Sequence, residues 1–247
     1  MRVLCVIPAR IGSTRLPEKP LRRLAGVPLV CRVARRVSEV GLCDRVVVAT
    51  DDRRVAEVVR AAGVDVTLTD PRHRSGTERV AEVVASPPYS DAEVVLNVQG
   101  DEPFIPEEAM LGAVGRVLAG DAVGTAAAPL APEQASDPNR VKVTVTTAGR
   151  AIEFSRAPLP AGDGASCEYL QHVGVYAYTR AALLDWVRRT PVPEEAVERL
   201  EQLRPLRHGM VIGVAILDRE APPGIDTAED LRNAQAYAGG PEWEVGR

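Results

Sequence analysis

The sequence predicts an α/β fold with a mixed, mostly parallel sheet that is flanked by helices. Through the first half of the chain, short apolar runs alternate with amphipathic helical patterns, which is typical of βαβ units. From residue 123, several apolar runs follow one another without a helical pattern between them, and this predicts a small antiparallel excursion. No repeat, low-complexity tract or linker divides the sequence, so we expect a single domain over residues 1–247.

The individual elements follow from the same patterns. The expected strands of the first half are residues 3–7, 45–50, 64–69 and 93–98, and the expected helices are residues 28–40, 53–62, 76–85 and 106–119. The antiparallel excursion comprises strands at residues 123–129, 141–146, 152–155 and 170–178. The rest consists of helices at 181–188, 194–203 and 227–236 and a strand at 211–216. Residues 158–164 are the best candidate for a mobile loop, and we expect the tail, residues 239–247, to be loose.

Composition and charge limit the kinds of function. With 45% hydrophobic and 26% charged residues, the chain has the composition of a soluble globular protein. A net charge of −4 argues against nonspecific nucleic-acid binding, which needs a basic face. Residues 3–8 are too short for a signal-peptide core, and no apolar run approaches a membrane span. Because the four cysteines show no C-x-x-C spacing, we expect reduced thiols in a cytoplasmic protein and no structural metal site.

A loop rich in cations and hydroxyls follows the first predicted strand. Residues 8–20 include Arg10, Ser13, Arg15 and Lys19, together with a glycine and a threonine. Ligands of open α/β sheets bind beyond the carboxyl ends of the strands, where loops present backbone N–H groups and side chains together. We therefore expect a polyphosphate site here, although the spacing matches neither a Walker loop nor a G-x-G-x-x-G fingerprint.

A second polar group follows the fourth predicted strand, in the sequence Asn-Val-Gln-Gly-Asp-Glu-Pro at residues 97–103. We expect Gln99, Gly100 and Asp101 at the carboxyl edge of the sheet, near the first loop. A carboxylate in that place suits Mg²⁺, which prefers oxygen ligands, and Gly100 would let the backbone approach a ligand closely. A polar turn at the end of a strand would explain the same pattern.

A third group, Arg-His-Arg-Ser-Gly-Thr-Glu-Arg at residues 72–79, lies between a predicted strand and a predicted helix. Ser75 or Thr77 is expected to cap the helix, and the amides around Gly76 are expected to face an anion or a base edge. Arg79 would oppose the helix dipole in the first turn, so an anionic ligand explains it better than helix stability does.

A further carboxylate comes from Gly-Ile-Asp-Thr-Ala-Glu-Asp-Leu at residues 224–231. Thr227 and Asp230 have the spacing of a helix cap, which fully explains Thr227. Asp226 precedes the cap and is left to point elsewhere. Together with Asp101 it would make a carboxylate pair for one metal ion, although nothing local in the sequence brings the two together.

Two more polar groups lie in the second half. Strand alternation places His172, Gly174, Tyr176 and Tyr178 on one face of a predicted strand. The other group lies near the end of a predicted helix and consists of Glu198, Glu201, Gln202 and Arg204. Either group is suited to bind a polyhydroxylated substrate, and an exposed polar face is the alternative for each.

Taken together, the motifs resemble those of the CMP-Kdo synthetases, the 3-deoxy-manno-octulosonate (Kdo) cytidylyltransferases. The similarity runs from about residue 2 to about residue 235. Its segments are 7–10 (Ile-Pro-Ala-Arg), 13–17 (Ser-Thr-Arg-Leu-Pro), 19–21 (Lys-Pro-Leu), 48–51 (Val-Ala-Thr-Asp), 75–79, 97–103, 155–156 (Ser-Arg), 172–176 (His-Val-Gly-Val-Tyr), 201–204 (Glu-Gln-Leu-Arg) and 226–227 (Asp-Thr). The resemblance implies a single-domain nucleotide-diphospho-sugar transferase fold. It also implies a homodimer that couples CTP to Kdo with Mg²⁺, releasing pyrophosphate, for lipopolysaccharide biosynthesis.

The resemblance also implies a role for each candidate residue. The first half would bind mainly CTP: its phosphates by Arg10, Ser13, Arg15 and Lys19, and its cytosine by the backbone at Ala9 and Arg10 with Ser75, Gly76 and Arg79. Asp101 and Asp226 would bind Mg²⁺, and the catalytic residues would be Arg10, Arg15, Lys19 and Asp101. Residues 130–210 would bind mainly the sugar acid and supply dimer contacts, with Gln99, His172, Tyr176, Glu201 and Gln202 facing the substrate.

Two departures from the family pattern bear on the alternatives. Glu18 stands where the family usually has glycine, and we expect its side chain to point outward. The segment between Arg156 and His172 is several residues shorter than in familiar members, which keeps open a different sugar acid, such as a sialic acid or an 8-amino Kdo analogue. A nucleotidyltransferase for an aldose phosphate or methylerythritol phosphate is disfavoured by Ile-Pro-Ala-Arg at residues 7–10. A noncatalytic nucleotide-sugar-binding module is disfavoured because the charged residues are retained together.

Overall fold

The computed structural model describes residues 2–238, so the tail that we expected to be loose lies outside the described residues. The strands are, in chain order, β1 (Val3–Ala9), β2 (Arg23–Leu24), β3 (Val27–Pro28), β4 (Arg45–Thr50), β5 (Asp65–Leu68), β6 (Val94–Val98), β7 (Val123–Leu130), β8 (Lys142–Val145), β9 (Ala151–Ser155), β10 (Tyr169–Thr179) and β11 (Ile212–Ile216). The helices are α1 (Leu29–Val40), α2 (Arg53–Ala61), α3 (Gly76–Ala85), α4 (Glu107–Leu118), α5 (Arg180–Arg188), α6 (Pro193–Glu198), α7 (Leu203–Arg207) and α8 (Ala228–Ala238). The predicted α/β class, with a mixed, mostly parallel sheet flanked by helices and a small antiparallel part, is confirmed.

The described chain forms two compact units, each made of segments that are distant in sequence. The first, which we call the N-terminal unit, contains Val3–Ser90, Asn97–Ile105 and the described residues from Pro222 onward. Its strands β1, β4 and β5 lie side by side in that order and are parallel. All seven residues of β1 are buried, which explains why this segment has the near-continuous apolar sequence of a parallel strand.

Side-chain caps set the helix starts in the N-terminal unit. The Asp52 carboxylate accepts hydrogen bonds from the backbone N–H groups of Arg54 and Val55 and caps α2. The Ser75 hydroxyl accepts from the Glu78 N–H at 3.2 Å and caps α3, as one of the two predicted candidates. Because the first N–H groups of a helix have no partner within it, these caps fix where each helix begins after its strand.

The start of α8 has the predicted cap. The Thr227 hydroxyl accepts from the Asp230 N–H at 3.1 Å, and the Asp230 carboxylate accepts from the N–H groups of Thr227 at 2.8 Å and Asp226 at 3.0 Å. An apolar cluster lies beside this cap and consists of Leu16, Leu24, Leu29, Ile225 and Ala234, with Phe104 and Leu231 packed against it. The loop after β1 and the segment before α8 are therefore held together by buried apolar contacts.

The second unit, which we call the central unit, contains Asp91–Leu96 and Pro106–Ala221, together with Arg2. Strand β7 lies between β11, to which it is parallel, and β10, to which it is antiparallel. Strand β8 pairs antiparallel with both β9 and β10 and forms the predicted excursion. Helix α4 packs against β7, β10 and β11. Strand β6 begins in this unit and ends in the N-terminal unit.

The predicted helix over residues 194–203 is wrong. The structure has two shorter helices, α6 and α7, because Arg199 adopts a left-handed conformation with φ of +55°. The turn lets Leu200 and Leu203 be buried. Pro205 then falls in the first turn of α7, where its missing N–H leaves no bond unmade.

The sequence analysis also missed the hairpin of β2 and β3, whose two-residue strands are too short to show a periodic pattern. Its turn uses positive φ angles at Ala25 and Gly26. The loop expected to be mobile packs against β8: the N–H of Val145 donates to the carbonyl of Ala161 at 2.8 Å. A Cβ at Gly164 would lie 1.9 Å from a backbone oxygen, so only glycine fits there. None of the helices in the part of the chain described here is both long and apolar enough to span a bilayer.

Candidate active site

Three charged side chains meet in the N-terminal unit, at the residues that the sequence analysis singled out. The Lys19 ammonium group donates to Asp101 Oδ2 at 2.6 Å and to Asp226 Oδ1 at 2.9 Å. The side chains of Lys19, Asp101 and Asp226 are 16%, 25% and 31% exposed, so the cluster is largely sheltered from water. Asp101 and Asp226 therefore approach the same cation, which is Lys19 in this structure, and their role as a metal-binding pair stays a prediction.

The charges in this cluster depend on one another. Burial disfavours the Lys19 ammonium, but Asp101 and Asp226 outweigh burial, so the pKa of Lys19 is raised. For Asp226, burial opposes ionisation and the neighbouring Lys19 and Arg15 outweigh it, so its pKa is lowered. Lys19 and Asp226 are therefore both charged near neutral pH.

The two arginines of the first loop are more exposed than Lys19. Arg15 Nη2 lies 2.9 Å from Asp226 Oδ2, with about half of its side chain exposed. Arg10 is exposed, and its guanidinium group makes no hydrogen bond or ion pair with residues 2–238. The Ser13 hydroxyl accepts from the Leu16 N–H at 3.3 Å and so shapes the loop. Two guanidinium groups thus remain accessible to an anionic ligand beside Lys19.

Arg79 already has an anion within the protein. Its guanidinium group donates to Asp51 Oδ2 at 3.1 Å and to the Thr69 hydroxyl, and it is 2% exposed. Asp51 also accepts from the Ile11 N–H at 3.1 Å, so it links α3 to the loop after β1. The argument that Arg79 needs an anionic ligand is corrected by this contact, while its contact with cytosine stays a prediction. Sequence reasoning gave Asp51 no role, although it lies in the motif Val-Ala-Thr-Asp.

The glycines of the two other motifs allow close packing around Pro8. A Cβ at Gly100 would lie 2.7 Å from the Pro8 carbonyl oxygen, so the backbone that Gly100 approaches is that of β1. The packing against β1 alone explains the glycine, and the approach of Gly100 to a ligand stays a prediction. A Cβ at Gly76 would lie 3.2 Å from Pro8 Cγ and 3.3 Å from Gln99 Oε1. The Gln99 amide donates to the Asn97 side chain at 3.3 Å. Gln99, Gly76 and Ala9 therefore lie at the same end of β1.

Glu18 points outward, as expected. Its carboxylate accepts from Arg54 Nη1 at 2.6 Å, and its side chain is 51% exposed. Its backbone has φ of +56° and ψ of +33°, the left-handed conformation that glycine adopts most readily. A glycine at this position in the family is therefore explained by backbone geometry.

In the central unit, β10 carries a row of aromatic rings. His172 and Tyr176 have ring centroids 5.1 Å apart, Tyr176 stacks on Tyr178 at 6.0 Å, and Trp186 contacts both tyrosines edge-on. A bulge adds two residues to β10 relative to β7, and because two is even the predicted shared face is preserved. Tyr176 and Tyr178 are buried, so the alternative of an exposed polar face is wrong for them.

The predicted polar group near residue 200 lies in and around the turn between α6 and α7. Gln202 is buried, and Glu201 is close enough to Tyr176 to act with burial in raising the pKa of that tyrosine. Arg204 pairs with Glu195 at 2.6 Å, and Glu198 accepts from the Ser155 hydroxyl at 3.0 Å. Glu198 and Arg204 therefore hold the turn in place, whereas Glu201 acts on the aromatic row through Tyr176.

The central unit also contains a fully buried lysine that the sequence analysis missed. The Lys142 ammonium group donates to the backbone carbonyls of Asp137, Arg140 and Arg156 at 2.9, 2.6 and 2.5 Å. Burial lowers its pKa. The only indication in the sequence is a lysine at an inward position of an apolar strand. That pattern does not show which backbone carbonyls accept hydrogen bonds from the ammonium group.

Asp101 and Asp226 are the candidate ligands for a metal ion. No group of three or more histidine, cysteine, aspartate or glutamate side chains that could hold a metal occurs among residues 2–238. Asp101 and Asp226 nevertheless converge on one cation, and carboxylate oxygens are what Mg²⁺ prefers when water and substrate supply its other ligands. The pair therefore fits Mg²⁺.

Comparison with known proteins decides the family. A family model described as cytidylyltransferase matches residues 4–212. Over 252 aligned residues the chain is 50% identical to a protein from Gemmatimonas aurantiaca named 3-deoxy-manno-octulosonate cytidylyltransferase, with 99% of this chain and 95% of the relative covered. The chain belongs to the 3-deoxy-manno-octulosonate cytidylyltransferase family. The resemblance seen in the motifs is thereby confirmed.

Further members of the cytidylyltransferase family agree. The relative from Methylococcus capsulatus is 46% identical, with 95% of this chain and 96% of the relative covered. The solved structure of CMP:2-keto-3-deoxy-manno-octonic acid synthetase complexed with CTP is 36% identical and matches with a TM-score of 0.87, covering 96% of this chain and 98% of that one. The similarity thus extends over nearly the whole of both chains.

Proposed function

We propose that this cytidylyltransferase couples CTP to Kdo, forming CMP-Kdo and releasing pyrophosphate. The observation that carries the proposal is the cluster of Lys19 with Asp101 and Asp226, in a chain whose family members bear the name of this activity. The cluster combines a cation for phosphate oxygens with carboxylates for a divalent metal. Reaction of a nucleoside triphosphate needs both the cation and the metal-binding carboxylates.

In the proposed reaction the anomeric hydroxyl of Kdo attacks the α-phosphorus of CTP in line. The new oxygen–phosphorus bond forms as the bond to the β-phosphate breaks, and pyrophosphate leaves. Positioning and electrostatic stabilisation carry most of the catalysis in such transfers. Arg10 and Arg15, whose guanidinium groups are exposed, would hold the phosphates with Ser13, and Lys19 would offset the charge that develops on pyrophosphate.

We also propose that Asp101 and Asp226 bind Mg²⁺. Their convergence on one cation supports this assignment. When bound, the ion would neutralise charge on the phosphate oxygens.

The remaining assignments divide by ligand. Cytosine would be bound by the backbone at Ala9 and Arg10 and by Ser75, Gly76 and Arg79, of which Gly76 packs closely against Pro8 and Gln99 at the end of β1. The sugar acid would be bound by Gln99, His172, Tyr176, Glu201 and Gln202. In support, the aromatic row offers ring faces and Glu201 offers a carboxylate to a polyhydroxylated ligand.

We further propose that the protein is a cytoplasmic homodimer and that its product serves lipopolysaccharide biosynthesis. These assignments rest on the family resemblance. Sedimentation equilibrium tests the dimer: the expected mass is twice the 26.5 kDa of the chain, and a mass of 26.5 kDa at micromolar concentration would contradict it.

The substitution Asp101→Asn tests the chemical assignment. It keeps the size of the side chain but removes the charge, so we expect turnover of CTP and Kdo to fall by at least about 100-fold with an unchanged circular dichroism spectrum. Asp65→Asn, at an exposed carboxylate at the start of β5, is the matched control and should keep full activity. Near-wild-type turnover of Asp101→Asn at saturating Mg²⁺ would contradict the assignment.

A further inference from the structure

A buried threonine in the central unit contacts two groups with a single hydroxyl. Thr125, on β7, is fully buried. Its Oγ1 lies 2.6 Å from the carbonyl oxygen of Val175 and 2.9 Å from Nε2 of His172. Both partners are on β10, which pairs with β7.

The positions of the protons in these two hydrogen bonds follow from which atoms can donate. A carbonyl oxygen only accepts, so the single hydroxyl proton of Thr125 goes to Val175. The 2.9 Å contact with His172 then requires a proton on Nε2, and Thr125 accepts it. Since a neutral imidazole carries one proton, Nδ1 of His172 is left with a lone pair and is an acceptor.

The bulge in β10 explains why Val175 is available to the threonine. On β10, Val173 lies opposite Ala126 of β7, and Tyr176 lies opposite the adjacent residue, Thr125. Val175 therefore has no partner residue on β7. A bulge leaves residues out of the ladder, and here the hydroxyl of Thr125 takes up the carbonyl.

The surroundings of His172 suit a ligand that donates hydrogen bonds. Its ring meets Phe154 edge-on at 5.4 Å and lies 5.1 Å from the Tyr176 ring, but the residue remains partly exposed. Among residues 2–238, Nδ1 has no hydrogen-bond partner. Burial lowers the pKa of His172 to about 4, so the ring is neutral near neutral pH. The carboxylate of Glu201 lies near the same aromatic row, because it acts on Tyr176.

We propose that Thr125 is a positioning residue that fixes His172 as the Nε2–H tautomer, so that Nδ1 accepts a hydrogen bond from a hydroxyl group of a polyhydroxylated substrate. In this tautomer, Nδ1 of His172 accepts a hydrogen bond from a substrate hydroxyl group and does not pair with the carboxylate of a sugar acid. That this substrate is Kdo rests on the proposed function. The tautomer itself does not.

The tautomer is measured directly by the ¹⁵N shifts and long-range proton couplings of the imidazoles in ¹⁵N-labelled protein. The chain has only three histidines, and His172→Gln assigns the signal. We expect Nε2 to be protonated and Nδ1 unprotonated in the wild type, and in Thr125→Ser, which keeps the hydroxyl. In Thr125→Val, which removes it, we expect a mixture of tautomers. A wild-type His172 protonated at Nδ1 would overturn the proposal whatever the activity of the protein.

Kinetics then tests the link to substrate. In Thr125→Val we expect KM for Kdo to rise about tenfold, the factor that corresponds to about 1.4 kcal/mol, and KM for CTP to stay within about twofold. Thr125→Ser should restore KM for Kdo. Ser38→Ala, which removes a hydroxyl on α1 that donates to the carbonyl of Ala34, is the control and should leave both constants unchanged.

The outcomes distinguish the positioning role of Thr125 from the proposed function of the protein. The expected tautomers in a protein that does not use Kdo would support the positioning role and contradict the proposed function. Equal rises of KM for both substrates in Thr125→Val, or a Thr125→Ser variant as impaired as Thr125→Val, would overturn the positioning role. If Thr125→Val does not fold, the wild-type and Thr125→Ser spectra still decide the tautomer.

Discussion

Replacing Lys19 with glutamine should make the nucleotide-free protein bind divalent cations more tightly. Lys19 now occupies the position between Asp101 and Asp226, with contacts of 2.6 and 2.9 Å. A metal ion must displace it to use both carboxylates. Hydrogen bonds to charged groups contribute about 1.5 to 3 kcal/mol each, and the lower value suits a cluster in which every side chain keeps some exposure.

Two such bonds amount to about 3 kcal/mol, so Lys19→Gln should lower the dissociation constant for Mn²⁺ or Mg²⁺ by roughly 100-fold. Electron paramagnetic resonance of free Mn²⁺, or titration calorimetry with Mg²⁺, measures this constant without CTP and without turnover. The same variant should lose activity, since Lys19 is proposed to act on the phosphates.

Arg15→Gln is the matched control. Arg15 makes one contact with Asp226 and its side chain is 49% exposed, so its loss should change the metal affinity by less than about fivefold. An unchanged or weaker metal affinity in Lys19→Gln would refute the reasoning, because it would mean that Asp101 and Asp226 are not the metal ligands.

Three further predictions concern stability. Because Glu18 has a positive φ, Glu18→Gly should be more stable than Glu18→Ala by about 1 kcal/mol in urea unfolding, and equal stability would contradict the argument from backbone geometry. Because burial lowers the pKa of His172 from 6.5 to about 4, the folded state binds this proton less tightly than the unfolded chain. Lowering the pH from 6.5 to 4 should therefore reduce the free energy of unfolding by at most about 3 kcal/mol. His172→Gln should remove this part of the pH dependence, whereas the exposed His208→Gln should not. Lys142→Met would leave three backbone carbonyls without their donor, so the free energy of unfolding should fall by about 3 kcal/mol or more, and a change below about 1 kcal/mol would contradict the role of that lysine.

Sequence reasoning worked best where the physical cause is local. Strand β4 and helix α3 begin and end at the predicted residues, because apolar periodicity and the cap at Ser75 act over a few positions. The cap of α8 at Thr227 was predicted for the same reason. The motif order also sufficed to recognise the family.

Contacts between distant residues were harder to predict. Asp101 and Asp226 are far apart in the sequence, so their meeting was only a hypothesis, and the contact of Lys19 with Asp226, 207 residues away, was not predicted. Arg79 shows the opposite error: its unfavourable place in a helix correctly indicated an anion, but the anion is Asp51, 28 residues earlier. The helix predicted over residues 194–203 is interrupted at Arg199, and the turn there lets Leu200 and Leu203 be buried. The helical pattern of the sequence does not show which leucines are buried in this way.

The most direct test of the central claim is pyrophosphate release by the purified protein. The assay pairs each of CTP, UTP, ATP and GTP with Kdo or with a sialic acid, with Mg²⁺ and with a chelator. We predict release only with CTP, Kdo and Mg²⁺ together. Release with another nucleotide or only with sialic acid, or no release with any pair from a folded protein, would contradict the proposed function.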